Sequence, residues 1–300
     1  NGVYLISTSA DCADSVTVQD CTFNEMGYEW FANADSHAVG IQGGDNHLVE
    51  GNTITNVGVA ICLHPWDSQT EKDNVIRYNF IKNCDSIDGG SAVAISISGT
   101  HNETQGDRTG LEIHHNIALD AEGQGITCSW IDPYKIYDNI LLSTESGPYS
   151  YAKNYGPYWT GRHNIVQDST ERILFRNNGH GTTNWSLDWD YNLYYPESTP
   201  GSSNDDFYMR DYGYNHFAGW QSDTGEDANT LTRQPKYQTA TPASAGDFAP
   251  AWDSPVIDAG DPNDTTYRLD FDGNPLYGTP DIGAYEYQPP YTMGTDSLEL

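Results

Sequence analysis

Three carboxylates fall at one offset from a recurring asparagine. Asp85 lies six residues after Asn79, Glu122 six after Asn116 and Glu145 six after Asn139. If successive repeats of the chain stack in register, these side chains become vertical neighbours. Adjacent repeats would hold them about 5 Å apart and alternate repeats about 10 Å apart. The first spacing matches the carboxylate pair of a retaining glycosidase, and the second approaches that of an inverting one. Such close carboxylates cannot all stay ionised unaided. Either one takes up a proton and becomes a general acid, or a cation neutralises them. Calcium suits that role because it accepts several hard oxygen ligands. Asp120, four residues after Asn116, and Asp88, in the segment Ser86–Gly90, are near enough to join. The candidate catalytic set is therefore Asp85, Glu122 and Glu145, with Asp120 and His64 in support. The candidate calcium ligands are Asp85, Asp88, Asp120 and Glu122. The plain alternative, solvated turn residues with no chemistry, stays open.

Aromatic side chains suggest what such carboxylates would act on. His64-Pro65-Trp66-Asp67 closes one expected strand, and Trp130-Ile131-Asp132-Pro133-Tyr134 occupies a similar place two repeats on. Tyr149, Tyr151, Tyr155, Tyr158 and Trp159 follow. Flat apolar rings suit the faces of sugars, which makes Trp66, Trp130, Tyr134, Tyr155 and Trp159 the candidate substrate-binding residues; packing of loops is the alternative. His114 and His115, neighbours in a strand, are expected to face opposite ways rather than form a metal pair.

Positioning these groups requires a repeating architecture. The pattern of a β-branched or aromatic residue, two polar residues, Asn and an apolar residue recurs at Asn52, Asn79, Asn116, Asn139, Asn164 and Asn192, with Cys21 as a degenerate first copy. The separations are 31, 27, 37, 23, 25 and 28 residues. That period suits one turn of a solenoid built from short strands and tight corners. Asn fits a corner because it tolerates left-handed backbone and its amide reaches the next repeat. Second strands follow, such as Val59–Leu63 and Ala92–Ile97, alternating large apolar with small or polar residues. The predicted fold is all-β: a right-handed parallel β-helix, repeats within 1–196, with loops, last turns and a C-terminal cap of the same domain in 197–300. Residues 251–288 are expected to cover the open apolar end. The chain opens at Asn1 and reads as a mature or trimmed segment, with further turns expected upstream.

Composition narrows the function classes. The 300 residues carry 43 Asp and Glu against 13 Lys and Arg, a net charge of −30. Nucleic-acid binding needs the opposite balance, and anionic membranes would repel the chain. No apolar run is long enough to span a bilayer. Aromatic residues at 12% argue for a folded chain, and the acidity suits a secreted or cell-surface protein. The 5 cysteines contain no CxxC, so zinc is not expected. Cys12 and Cys21 are a candidate disulfide; Cys62, Cys84 and Cys128 read as buried thiols. Asp261, Asp264, Asp270 and Asp272 lack calcium-loop spacing and read as turn formers.

The stretch Asp190-Tyr191-Asn192-Leu193-Tyr194-Tyr195, then Phe217–Gln221 and Thr224–Asp227, leads through Asp247–Pro250 and Ser254–Gly260 to Asp270–Pro275 and Asp281–Tyr287. It resembles the C-terminal part of secreted bacterial right-handed parallel β-helix repeat proteins, a group that includes polysaccharide lyases and glycoside hydrolases. Leu276 departs from the Arg common after the Pro. The resemblance implies fold and cap and carries no catalytic residue. In lyase relatives Lys and Arg act beside a calcium-neutralised uronate; Arg77, Lys82 and Arg108 lie in suitable repeats, though no motif fixes them.

The expected function is hydrolysis of a polysaccharide by carboxylate acid/base chemistry. A calcium-assisted lyase is the alternative enzyme. The non-enzymatic class is an extracellular glycan-binding adhesin or a filament-forming protein that self-associates through solenoid ends.

Overall fold

The computed structural model describes residues 2–5, 13–26, 37–64, 71–85, 92–97, 108–129, 134–151, 158–169, 173–177, 186–196, 207–209, 212–214, 216–267 and 269–289. Strands before each recurring Asn form one seven-stranded parallel sheet: Thr17–Gln19, Leu48–Glu50, Val75–Arg77, Leu111–His114, Tyr134–Tyr137, Tyr158–Arg162 and Ser186–Asp190. Strands after each Asn form a second parallel row, from Thr22–Met26 and Thr53–Val57 through Phe80–Cys84 to Leu193–Tyr195. A third row runs from Val3–Leu5 through His37–Ile41, Val59–Leu63 and Val93–Ile97 to Phe207–Met209. The long strands Ile117–Ser129 and Ile140–Tyr151 belong to both later rows and join them into one fourteen-stranded sheet. The chain is thus all-β with almost wholly parallel pairing. Tyr212–Tyr214 alone pairs antiparallel among the named strands, with Phe207–Met209.

Strand alternation sets the interior. Three residues before each Asn stand Val49, Ile76, Ile113 and Ile136, all fully buried. In the next repeat the position is Gly161, and a Cβ there would collide with the ring of Trp189. The missing side chain makes room for Trp189 to pack against Trp159 at 5.0 Å between centroids.

Two left-handed positions per repeat turn the chain. The residue before the Asn has φ between 53° and 58° at Asp20, Tyr78, His115, Asp138, His163 and Tyr191, and Gly51 shares the conformation at 66°. Four residues after the Asn, φ is again positive at Glu25, Asn56, Asn83, Asp120, Ser143 and Asp168. Between these corners the buried asparagines form a ladder. Each amide nitrogen donates to the Oδ1 of the next Asn: Asn52 to Asn79 at 2.9 Å, Asn79 to Asn116 at 2.9 Å, Asn116 to Asn139 at 3.1 Å, Asn139 to Asn164 at 3.0 Å and Asn164 to Asn192 at 3.1 Å. The same Oδ1 atoms accept backbone N–H groups. A buried amide is costly unless so satisfied, and an apolar residue in the column would strand the donors and acceptors of its neighbours.

The last repeat is closed by a segment expected to be long loops. It contains the helix Phe217–Thr224, whose Phe217 and Trp220 join the interior beside Tyr194 and Phe207. Gly225, left-handed at φ 76°, ends it. The tail does not cover the open end as expected. It runs back along the flank of the second row, where the outward residues Phe80, Ile117, Ile140, Ile165 and Leu193 form an apolar stripe. Phe248, Val256, Ile282, Ala284 and Tyr285 bury that stripe. Each fully buried aliphatic side chain contributes about 1.5–3 kcal/mol, enough to fix an otherwise irregular segment.

The expectation for Cys21 needs correcting, since its thiol is free; Cys12 lies outside the described residues. Cys62, Cys84 and Cys128 are buried thiols, and burial pushes Cys84 up to about 12. Among the described residues no helix is long and apolar enough to cross a membrane.

Candidate functional site

Cys84 pairs in register with Ala121, and Ala121 with Thr144. Asp85, Glu122 and Glu145, the residues that follow, therefore sit on three consecutive repeats. Cys84, Ala121 and Thr144 are buried, while Asp85 and Glu145 are half-buried and Glu122 is exposed. Adjacent strands lie about 4.8 Å apart, which sets the backbone spacing of neighbours in the column. Glu145 accepts a hydrogen bond from Gln124 Nε2 at 3.2 Å. Beyond Glu122 the register shifts, because Gln124 pairs with Ser146 and the extra residue, Gly123, is accommodated as a bulge. Asp120 is exposed on the left-handed corner, two residues before Glu122.

The other predicted residues scatter. His64 follows Leu63, which pairs with Ile97 and through it with Cys128. It is thus level with Ser129, seven residues along the strand from Glu122, a run of roughly 20 Å. The structure does not bring His64 to the carboxylates. Trp159 is 1% exposed and packs inward, so it offers no face to a ligand. Its parity with Gly161 on one strand was the available signal. Tyr134 lies in the strand Tyr134–Tyr137. Asp88, Trp66, Trp130 and Tyr155 lie outside the described residues. Among the described residues no three His, Cys, Asp or Glu side chains converge tightly enough to hold a metal ion.

A second constellation sits beneath the tail. His115, Asp138 and His163 occupy the left-handed position before the Asn on three consecutive repeats, and all are buried. His163 Nε2 accepts the backbone N–H of Asp261 at 2.8 Å, so its proton is on Nδ1, facing Asp138 Oδ1 at 3.1 Å. Burial pulls its proton affinity down, but the hydrogen bond and charge of Asp138, with Asp264, raise it above the ordinary value. His115 is lowered by burial. His114, held neutral by burial and then by His115, falls to about 2. His114 and His115 do not face opposite ways: their Nδ1 atoms meet at 3.0 Å, because the left-handed corner at His115 breaks strand alternation. Tyr267 stacks on His114 with centroids 4.0 Å apart. The cluster borders a cavity of about 20 Å³, room for roughly one water molecule and no substrate.

The expected turn role of the tail aspartates is visible in their bonds. Asp261 Oδ1 accepts Asn263 N–H, Asp264 Oδ1 accepts Thr266 N–H, and Asp270 Oδ1 accepts Asp272 and Asn274 N–H. The sequence reading missed the column His115–Asp138–His163, although its one-per-repeat spacing was legible. Comparison with protein-family models and with curated proteins finds no match to this chain.

Proposed function

We propose that the chain is a right-handed parallel β-helix, secreted or displayed at a cell surface, that hydrolyses a polysaccharide at the column Asp85–Glu122–Glu145. The supporting observation is the register of that column: carboxylates 37 and 23 residues apart in sequence fall on adjacent strands. Glu122, with a carboxylate on either side, protonates the leaving glycosidic oxygen. Glu145, which accepts a hydrogen bond from the Gln124 amide, attacks the anomeric carbon. Water then resolves the glycosyl ester, with Glu122 taking the proton back. Asp85 and Asp120 hold sugar hydroxyls as acceptors, and they are the residues that would hold a calcium ion, which would supply charge neutralisation beside the acid.

Hydrolysis is favoured over β-elimination because two of the three candidate cations are already engaged. Arg77 is paired with Glu50, and Lys82 Nζ donates to the Ala243 carbonyl at 3.3 Å. A net charge of −30 also disfavours polyuronates. The test is a panel of neutral and acidic polysaccharides incubated with and without a chelator. New reducing ends without unsaturated-uronate absorbance are expected. No product from any polymer, or unsaturated products alone, would overturn the reading.

A further inference from the structure

The left-handed position before the Asn carries a side chain in every repeat but one. Between Asp20 and Tyr78 the residue is Gly51, and the Asp20 carboxylate lies against it where a Cβ would stand. Among the described residues the tail covers the column from Tyr78 onward, where Tyr78 meets Phe271 at 6.3 Å in an edge-to-face contact. Together these features leave an open groove of about 530 Å³, within the range of ligand sites. It lies around the corner from the carboxylate column, so binding there and cleavage at the column can be lost separately.

The lining is divided by chemistry. Tyr78, Phe80, Leu269 and Phe271 form an apolar wall, and Leu269 is 46% exposed. Asp20 and Asp272 are exposed carboxylates at the rim. Glu50 is already paired with Arg77. Asp270 is consumed by the N–H groups of Asp272, Asn274 and Glu286. Among the described residues no lysine or arginine lines the groove. Burial, and after it the charge of Asp270, raises the proton affinity of Asp272, a cost that a bound cation would relieve. The groove therefore offers two exposed carboxylates, Asp272 lying beside Tyr285, that face an aromatic and aliphatic wall. Its complement is a ligand with a cationic amine on one edge and a CH-rich face on the other.

We infer that this groove binds an amino-sugar oligosaccharide, its ammonium groups held between Asp20 and Asp272 and its ring face laid on Leu269 and Phe271. Choosing a saccharide over a simple amine rests on the glycan reading above, and the probes separate the two. Titration calorimetry at pH 6 would compare a free-amine glucosamine tetramer, its fully N-acetylated counterpart and spermidine. The free-amine tetramer is expected to bind at least tenfold tighter than either, and more weakly as salt rises. The double variant Asp20→Asn/Asp272→Asn should weaken it at least tenfold. Gly51→Asn, which tolerates the left-handed backbone, should do the same by displacing the Asp20 carboxylate that lies where its Cβ would stand. Thermal unfolding checks that both variants fold. Asp85→Asn/Glu122→Gln should leave this binding unchanged even where cleavage is abolished. Equal binding of the two tetramers, preference for spermidine, no binding of the free-amine tetramer, or full affinity in either folded groove variant would overturn the assignment.

Discussion

The side-chain amide of Asn192 donates to Oδ1 of Asp227 at 3.1 Å, which hands the whole asparagine ladder to a carboxylate. Each ladder amide donates one hydrogen to the next repeat and also donates to a backbone carbonyl of the repeat before, so the last rung needs an acceptor in place of the next Asn. Asp227 is fully buried and also accepts from Tyr194 Oη at 3.0 Å, Trp220 Nε1 at 2.9 Å and Thr230 Oγ1 at 2.5 Å. Thr230 Oγ1 in turn accepts the Asn192 backbone N–H.

Asp227→Ala should therefore be among the most damaging single changes. It strands several buried donors at once, each costing about 1–3 kcal/mol. Urea unfolding is expected to show a loss of about 3 kcal/mol or more, with Asp227→Asn intermediate. A loss under about 1 kcal/mol would show that the ladder does not need this terminus.

Gly161→Ala should destabilise through overpacking. A Cβ at this position has the Trp189 ring in its place, and Trp189 is held on its other side by Trp159 and by a 2.6 Å bond from Nε1 to Tyr194 Oη. The expected cost is about 1–3 kcal/mol, read as a lower Tm with blue-shifted or quenched tryptophan emission.

The contrast between ladder and tail shows which parts were legible. Asn79, Asn116 and Asn139 announce themselves because each repeat must place the same amide at the same corner. The register of Asp85, Glu122 and Glu145 follows from that count. The tail follows no such rule. Val256, Ile282 and Tyr285 stand in irregular segments, and their partners, Ile117, Ile140 and Ile165, lie over a hundred residues away in most pairings. Nothing local marks those isoleucines as outward, since a buried stripe under a tail reads like any strand. Misplacing His115 has a different cause: a single left-handed residue reverses the face that alternation assigns.

Stability should peak in mild acid. Burial, before any neighbouring charge, raises Asp227 and Asp281 to about 6, Glu226 to about 7 and Glu286 to about 8. The folded protein thus binds protons that the unfolded chain has released, and stability falls as pH rises through roughly 5 to 8. His163, raised, adds to this trend. His114, His115 and His47 are lowered by burial from 6.5, so their contribution is lost as pH falls below that value. Tm measured from pH 4.5 to 9 is expected to trace a dome with its maximum near pH 6. A Tm that climbs steadily to pH 9 would contradict the buried-acid account.

At the carboxylate column, Glu122→Gln and Glu145→Gln should each lower kcat by about 10² to 10⁴ with little change in Tm, because both sit on the outer side of their strands. Asp85→Asn, placed to hold substrate, should act mainly through KM. Product analysis by NMR would read the anomer first released, and retention is expected from the one-strand spacing.

The spacing between successive ladder asparagines varies from 23 to 37 residues while each Asn still meets the Asn of the next repeat. Repeat length and repeat alignment are therefore separate quantities in this molecule. All the variation is absorbed outside the amide column, where a longer or shorter excursion returns to the same corner. Such a scaffold could accept grafted peptides of quite different size at its turns, with the asparagines re-synchronising the chain after each one.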